Sequence, residues 1–120
     1  MAFITGFDHV QLAMPVGAES IARAFYTGVL GMAEIPKPEV LAVRGGVWFS
    51  CGTAELHLGA DPEFQAARKA HPALVVPDFA AFAAHLDRHG IALKQNETVG
   101  GRQRGTLADP FGNRVELIAA

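Results

Sequence analysis

Cysteine is almost missing from this chain: Cys51 is the only one in 120 residues. That excludes an internal disulfide framework and any zinc site built from several cysteines. An excess of positive charge is also missing, with ten Lys and Arg against twelve Asp and Glu and a formal charge of −2. A protein that grips a nucleic-acid backbone needs the opposite balance. No apolar run approaches the ~20 residues of a membrane span. The opening MAFITGFDHV has neither a basic n-region nor a long apolar stretch. The expectation is a cytoplasmic protein in a reducing setting, with a small molecule rather than nucleic acid or membrane as its partner. Low-complexity tracts, charge blocks and long linkers are absent too.

What the chain has is 50% hydrophobic residues, 13 glycines and five histidines. A chain of this length buries roughly 65–70% of its unfolded surface, enough for a core without staples. FDHVQLAMP reads as a strand. Ala18 to Leu30 reads as a helix with an apolar stripe on Ile21, Phe25, Ala22, Ala24 and Val29, stopped by Gly31. Met32 to Ile35 suits an edge strand before Pro36 and Pro38. Val40–Val43 and Val47–Cys51, around Gly45-Gly46, suggest a hairpin, and AELHLG is a further strand. Asp61 and Pro62 are placed to start a short helix over DPEFQAARKA. HPALVVP is a strand, and Asp78 caps a second helix that runs through His89 to Gly90. IALKQ, RQRGTLADP and GNRVELIAA supply three more strands, with DPFGN as a turn.

The order is thus β-α-β-β-β, a connector, and β-α-β-β-β. Positions repeat accordingly. His9 and His71 are 62 residues apart, each with a proline six residues later, at Pro15 and Pro77. Gly31 and Gly90 are 59 apart, Gly52 and Gly112 are 60 apart, and Glu55 and Glu116, each followed by Leu, are 61 apart. The chain reads as a duplicated unit of about 60 residues, with modules over about 6–60 and 69–120 in a single domain spanning 1–120. Each copy offers one histidine in its first strand and one glutamate in its last. Two His and two Glu brought together form a nitrogen and oxygen set suited to Ni, Zn, Fe, Mn or Co. Such an ion polarises a carbonyl, lowers the pKa of bound water or activates dioxygen.

The segments DHVQLAM, FYTGVLGM, WFSCGTAELHLG, HPALVV before DFAAFAAHLDRHGI, and DPFGNRVELI resemble the vicinal oxygen chelate superfamily. This is the group of glyoxalase I, bleomycin-resistance proteins and extradiol dioxygenases. The resemblance runs from about Phe7 to Ile118. It implies an α+β fold in which two βαβββ modules form a U-shaped, mixed eight-stranded sheet. It implies a homodimer, and glyoxalase I ligands at His9, Glu55, His71 and Glu116. The dioxygenases and fosfomycin-resistance enzymes use three of these, His9, His71 and Glu116. In a glyoxalase-like reaction Glu55 or Glu116 would leave the metal to act as catalytic base. Bleomycin-resistance proteins share the fold, use no metal and sequester a drug, which is the competing expectation.

His57 lies two residues from Glu55 on one strand face. Repeat spacing favours Glu55 as the ligand, and a gap of one or two residues would reverse that choice. Trp48, Arg102, Phe111 and His57 are candidate pocket residues. Arg102 and Arg104 sit in the glycine-rich GGRQRG, which reads more simply as a solvated hairpin and lacks the context of a phosphate loop. His85 and His89, at i and i+4, fit a solvated helix C-terminus. Cys51 fits an inert packed thiol, and Phe25 and Tyr26 fit core.

Overall fold

Alternating strands and two amphipathic helices organise the chain, whose computed structural model describes residues 1–120. It divides into two compact units, Met1–Gln65 and Ala66–Ala120.

The first unit holds β1 (His9–Met14), α1 (Glu19–Tyr26), β2 (Glu34–Ile35), α2 (Glu39–Ala42), β3 (Val47–Cys51) and β4 (Ala54–Ala60). Its sheet has the order β1-β4-β3-β2. β1 runs parallel to β4, with His9 opposite Glu55 and Gln11 opposite His57, while β3 and β4 are antiparallel. The last strand is therefore central. Because strand side chains alternate, one face of this sheet is apolar and the other polar. Met14, Val47, Phe49, Leu56 and Leu58 are buried together with Ala22, Phe25 and Tyr26 of α1. Phe49 packs on Tyr26, ring centroids 5.4 Å apart.

The second unit repeats the plan with β5 (Ala73–Val76), α3 (Phe79–Arg88), β6 (Lys94–Val99), β7 (Arg102–Ala108) and β8 (Arg114–Ala119). Its order is β5-β8-β7-β6, with β5 and β8 parallel. Leu107, Val115 and Leu117 are buried along with Phe79 and Leu86 of α3. Asp78 caps α3 as expected, its side chain accepting from the Ala81 N–H at 3.0 Å. The α+β class and the two βαβββ sheets of the sequence reading are present. No helix is long and apolar enough to cross a membrane.

Three local expectations are corrected. Val40–Val43 is not a strand: the Leu41 and Ala42 N–H groups donate to the Pro38 carbonyl and wind one helical turn. The partner of β3 is instead Glu34–Ile35. DPEFQAARKA forms no helix, because it offers no apolar face at helical spacing and the Asp61 side chain accepts from Glu63 N–H in a local turn. Ile21 lies outside the buried stripe of α1 at 53% exposure, and that stripe runs through Ala18, Ala22, Phe25 and Tyr26. Gly46 takes φ +90° where the chain approaches β4 so closely that a Cβ would lie 2.6 Å from the Leu58 carbonyl oxygen. Only glycine fits there.

The DPFGN turn is held by one buried carboxylate. Asp109 accepts from the Phe111 and Asn113 N–H groups at 2.9 and 2.8 Å and from the Asn113 amide at 2.9 Å. Asp109→Ala strands these donors, and each unsatisfied buried group costs about 1–3 kcal/mol. The expected result is a loss of about 2–4 kcal/mol in urea unfolding, whereas Asp109→Asn loses less.

Candidate functional site

In the first unit the residues on the polar face follow from the register. His9 and Gln11 of β1, Glu55, His57 and Gly59 of β4, and Trp48 of β3 share one face, since each lies opposite or two residues from the next. His57 is 4% exposed and lies between two parallel rings. Its centroid is 4.2 Å from that of His9 and 4.0 Å from that of Trp48, with interplanar angles of 11° and 5°. Its Nε2 donates to Glu55 Oε1 at 2.9 Å, since a carboxylate only accepts. His9 Nδ1 likewise donates to Asp8 Oδ2 at 2.9 Å. Its Nε2 is left as a lone pair in the neutral ring.

In the second unit Glu116 lies at the centre of the polar face, 7% exposed although it is a carboxylate. Arg104 grips it with a fork, Nε to Oε2 at 3.0 Å and a terminal nitrogen to Oε1 at 3.1 Å. This bond is the main reason that the Glu116 pKa is lowered; burial opposes it, and His71 adds a smaller lowering. His71 Nδ1 donates to the Lys69 carbonyl at 2.7 Å, and its Nε2 lies 3.4 Å from Glu116 Oε1. Asn96 and Thr106 continue this face, joined by a 2.6 Å hydrogen bond.

The structure thus pairs His9 with the Glu55–His57 couple in one unit and His71 with Glu116 in the other. Trp48 joins the first group. Arg102 is exposed and its Nε donates to the Ala119 carbonyl at 2.7 Å; Phe111 sits in the Asp109 turn. Arg104 was missed as a site residue because GGRQRG reads as a solvated hairpin, although RQRGTLADP already reads as a strand. It lies on β7 two residues before Thr106, which is opposite Glu116, and alternation along RQRGT puts both on the glutamate's face. That alternation was the signal available.

The register also bears on Glu55 versus His57. Glu55 lies directly opposite His9, whereas Glu116 lies opposite Ala73, two residues beyond His71. The residue two places beyond the partner of His9 is His57, opposite Gln11. His57 is therefore the positional counterpart of Glu116, and Glu55 stands one alternation earlier.

No group of three or more His, Cys, Asp or Glu side chains that could hold a metal ion occurs in the chain. The donor chemistry of each pair nevertheless suits a divalent ion. His9 and His71 both have Nδ1 engaged by an oxygen acceptor, which is the outer-shell arrangement that fixes an imidazole for metal binding through Nε2. At His71 the ring Nε2 and a carboxylate oxygen of Glu116 face each other 3.4 Å apart, a nitrogen and an oxygen donor side by side.

Comparisons with known proteins agree with the fold. Residues 6–117 match the family model of the Glyoxalase/Bleomycin resistance protein/Dioxygenase superfamily. The chain belongs to that superfamily. A glyoxalase family protein from Bacillus anthracis is 45% identical, with TM-score 0.96 over 99% of this chain and 98% of that one. A lactoylglutathione lyase from Agrobacterium tumefaciens is 20% identical, with TM-score 0.77 over 99% and 96% of the two chains. An antibiotic binding protein from Streptomyces is 19% identical, with TM-score 0.77 over 99% and 98%. The last two share the fold. No curated protein matches the chain.

The lowered Glu116 pKa gives a signed pH dependence. A carboxylate depressed on folding adds stability that is fully present above its ordinary value of 4.5 and is lost as pH falls through its lower folded value. In metal-free protein the Glu116 carboxyl resonance should titrate below 4.5, and in Arg104→Met its midpoint should move upward. The same substitution should flatten the acid limb of stability against pH.

Proposed function

We propose that this protein is a metal-dependent enzyme of the glyoxalase and dioxygenase type. His9, His71 and Glu116 are its ligands, and Glu55 is the base or a fourth ligand. The observation that carries the reading is the His71–Glu116 pair, in which a ring nitrogen oriented through the Lys69 carbonyl faces an Arg-held carboxylate. A bound divalent ion supplies Lewis acidity toward the oxygens of a chelating substrate. The chain's own residues do the rest. Arg104 keeps Glu116 ionised and fixed. Glu55, 39% exposed and hydrogen-bonded by buried His57, is placed to take a proton from carbon next to a carbonyl and return it. The stack of His9, His57 and Trp48 holds that couple in one orientation. The substrate is a small oxygen-chelating molecule.

The protein works as a cytoplasmic homodimer. Support comes from the N-terminal arm, where Met1, Phe3, Ile4 and Phe7 are each at least 83% exposed and ask for a covering surface.

A second reading rests on Arg104 itself. Its fork already neutralises both Glu116 oxygens, which a metal-free binding protein of the bleomycin-resistance type also allows. Titration of chelator-stripped, tag-free protein with Ni²⁺, Zn²⁺ and Co²⁺ separates the two. The enzyme reading expects saturable binding that weakens by about 10–100-fold or more in His71→Ala and Glu116→Ala. Glu55→Gln should keep metal affinity and lose about 10²–10⁴-fold in turnover on an α-carbonyl substrate. Affinities unchanged in the ligand variants would favour the sequestering protein.

A further inference from the structure

The first unit has two concavities beside the Gly45-Gly46 bend, one of them continuous with the polar face through Gln11, Trp48 and Gly59, and their charges differ. One is lined by Glu19, Arg23, Glu34 and Lys37 together with apolar and glycine residues. It is internally balanced: Arg23 donates to Glu34 at 2.8 Å, and Glu19 accepts from the Gly46 N–H at 2.8 Å. The other is a cavity of about 210 Å³ whose walls include Gln11, Lys37, Arg44, Trp48 and Gly59. It contains two cations and no carboxylate.

Neither cation of that cavity forms an ion pair in the structure. Lys37 uses one N–H on the Gly45 carbonyl, which anchors the ammonium at the cavity wall and leaves two further donors. Glu19 feels the Lys37 charge, but its carboxylate lines the other concavity and is engaged by the Gly46 N–H. Arg44 follows α2 and is exposed, so its planar fork is free to close on a ligand. Gln11 adds an amide. It crosses Gly59 so closely that a Cβ there would lie 2.7 Å from Nε2, and the bare glycine lets the amide lie along the wall. Trp48 has one ring face covered by His57 and contributes its indole to the same wall. The cavity is smaller than the ~300–1,000 Å³ of whole-ligand pockets, so it fits one group of a molecule that extends along the polar face toward His57 and Glu55.

We infer that Lys37, Arg44 and Gln11 form a subsite for an oxyanion, carboxylate or phosphate, carried on a flat conjugated group that lies against Trp48. Two cations and no carboxylate on the walls of a small recess favour such a ligand electrostatically, and Arg and Gln can address its oxygens directionally. The assignment of the occupant as substrate rests on the function proposed above; the binding of the anion does not.

Trp48 is the only tryptophan and lines this cavity, so its fluorescence reports on a ligand bound there, and loss of the response in the Arg44 and Lys37 variants assigns it to the cavity. Metal-free full-length protein is titrated with benzoate and phenyl phosphate, and with benzamide as the neutral shape control. At least one anion should shift Trp48 emission saturably and bind at least about tenfold tighter than benzamide, with Arg44→Gln and Lys37→Gln each weakening it by about tenfold. Arg44 is exposed, so its variant keeps the fold even where Lys37→Gln loosens the bend. Anions that bind no better than benzamide, or equally well to both variants, would overturn the subsite while the metal titration still stands or falls by itself. A protein that takes up no metal yet discriminates the anions retains the subsite and loses the enzymatic reading.

Discussion

One-sided burial of two short sheets is the constraint on which everything else depends. Each sheet presents an apolar face with a helix to cover it, and a strand's period of two sends the alternate residues to the other face. A shift of one residue in β4 would take Leu56 and Leu58 out of the core and bury Glu55 and Gly59 in their place. The register that protects the core therefore also places His9, Gln11, His57 and Trp48 together. In the second unit it places Arg104, Thr106 and Glu116 together. The polar face needs no separate specification; it is the complement of the packing.

Within that frame the central position of the last strand has a chemical consequence. β4 and β8 are each flanked on both sides, so the polar residues at their middle, His57 and Glu116, lose most of their water. His57 answers this by stacking between two rings and donating to Glu55, and Glu116 by accepting the Arg104 fork. A buried carboxylate without such a partner would take up a proton, and the depressed Glu116 pKa records that the guanidinium outweighs burial. The two units solve one problem with different chemistry, a stacked and hydrogen-bonded ring in one and an Arg–Glu ion pair in the other. That difference gives the duplicated halves separate parts to play.

The sequence made the architecture legible because helix stripes, glycine stops and the offsets between His9 and His71 or Glu55 and Glu116 all repeat. The errors fell where local and tertiary preferences compete. Val40 and Val43 favour strand by residue type, yet Pro38 starts a helical turn there and both valines stay exposed. Asp61 and Pro62 imitate a helix start, but no apolar face follows for a helix to bury. Counting residues between repeats also blurred Glu55 with His57, since the two copies differ in how far the last strand slides along the first. Arg104 lies on a strand that RQRGTLADP already marks, but its place beside Glu116 depends on the pairing of Thr106 with Glu116, which residue type alone does not reveal.

The central claim is the proposal that His9, His71 and Glu116 serve as ligands of a divalent ion. A crystal structure of tag-free protein as purified, with anomalous data collected on both sides of the metal's absorption edge, tests it most directly. The account predicts a peak bonded to the Nε2 atoms of His9 and His71 and to a Glu116 oxygen, with Arg104 still on that carboxylate. An occupied ligand groove with no anomalous peak at these atoms, in crystals grown with Ni²⁺, Zn²⁺ or Co²⁺, would contradict it.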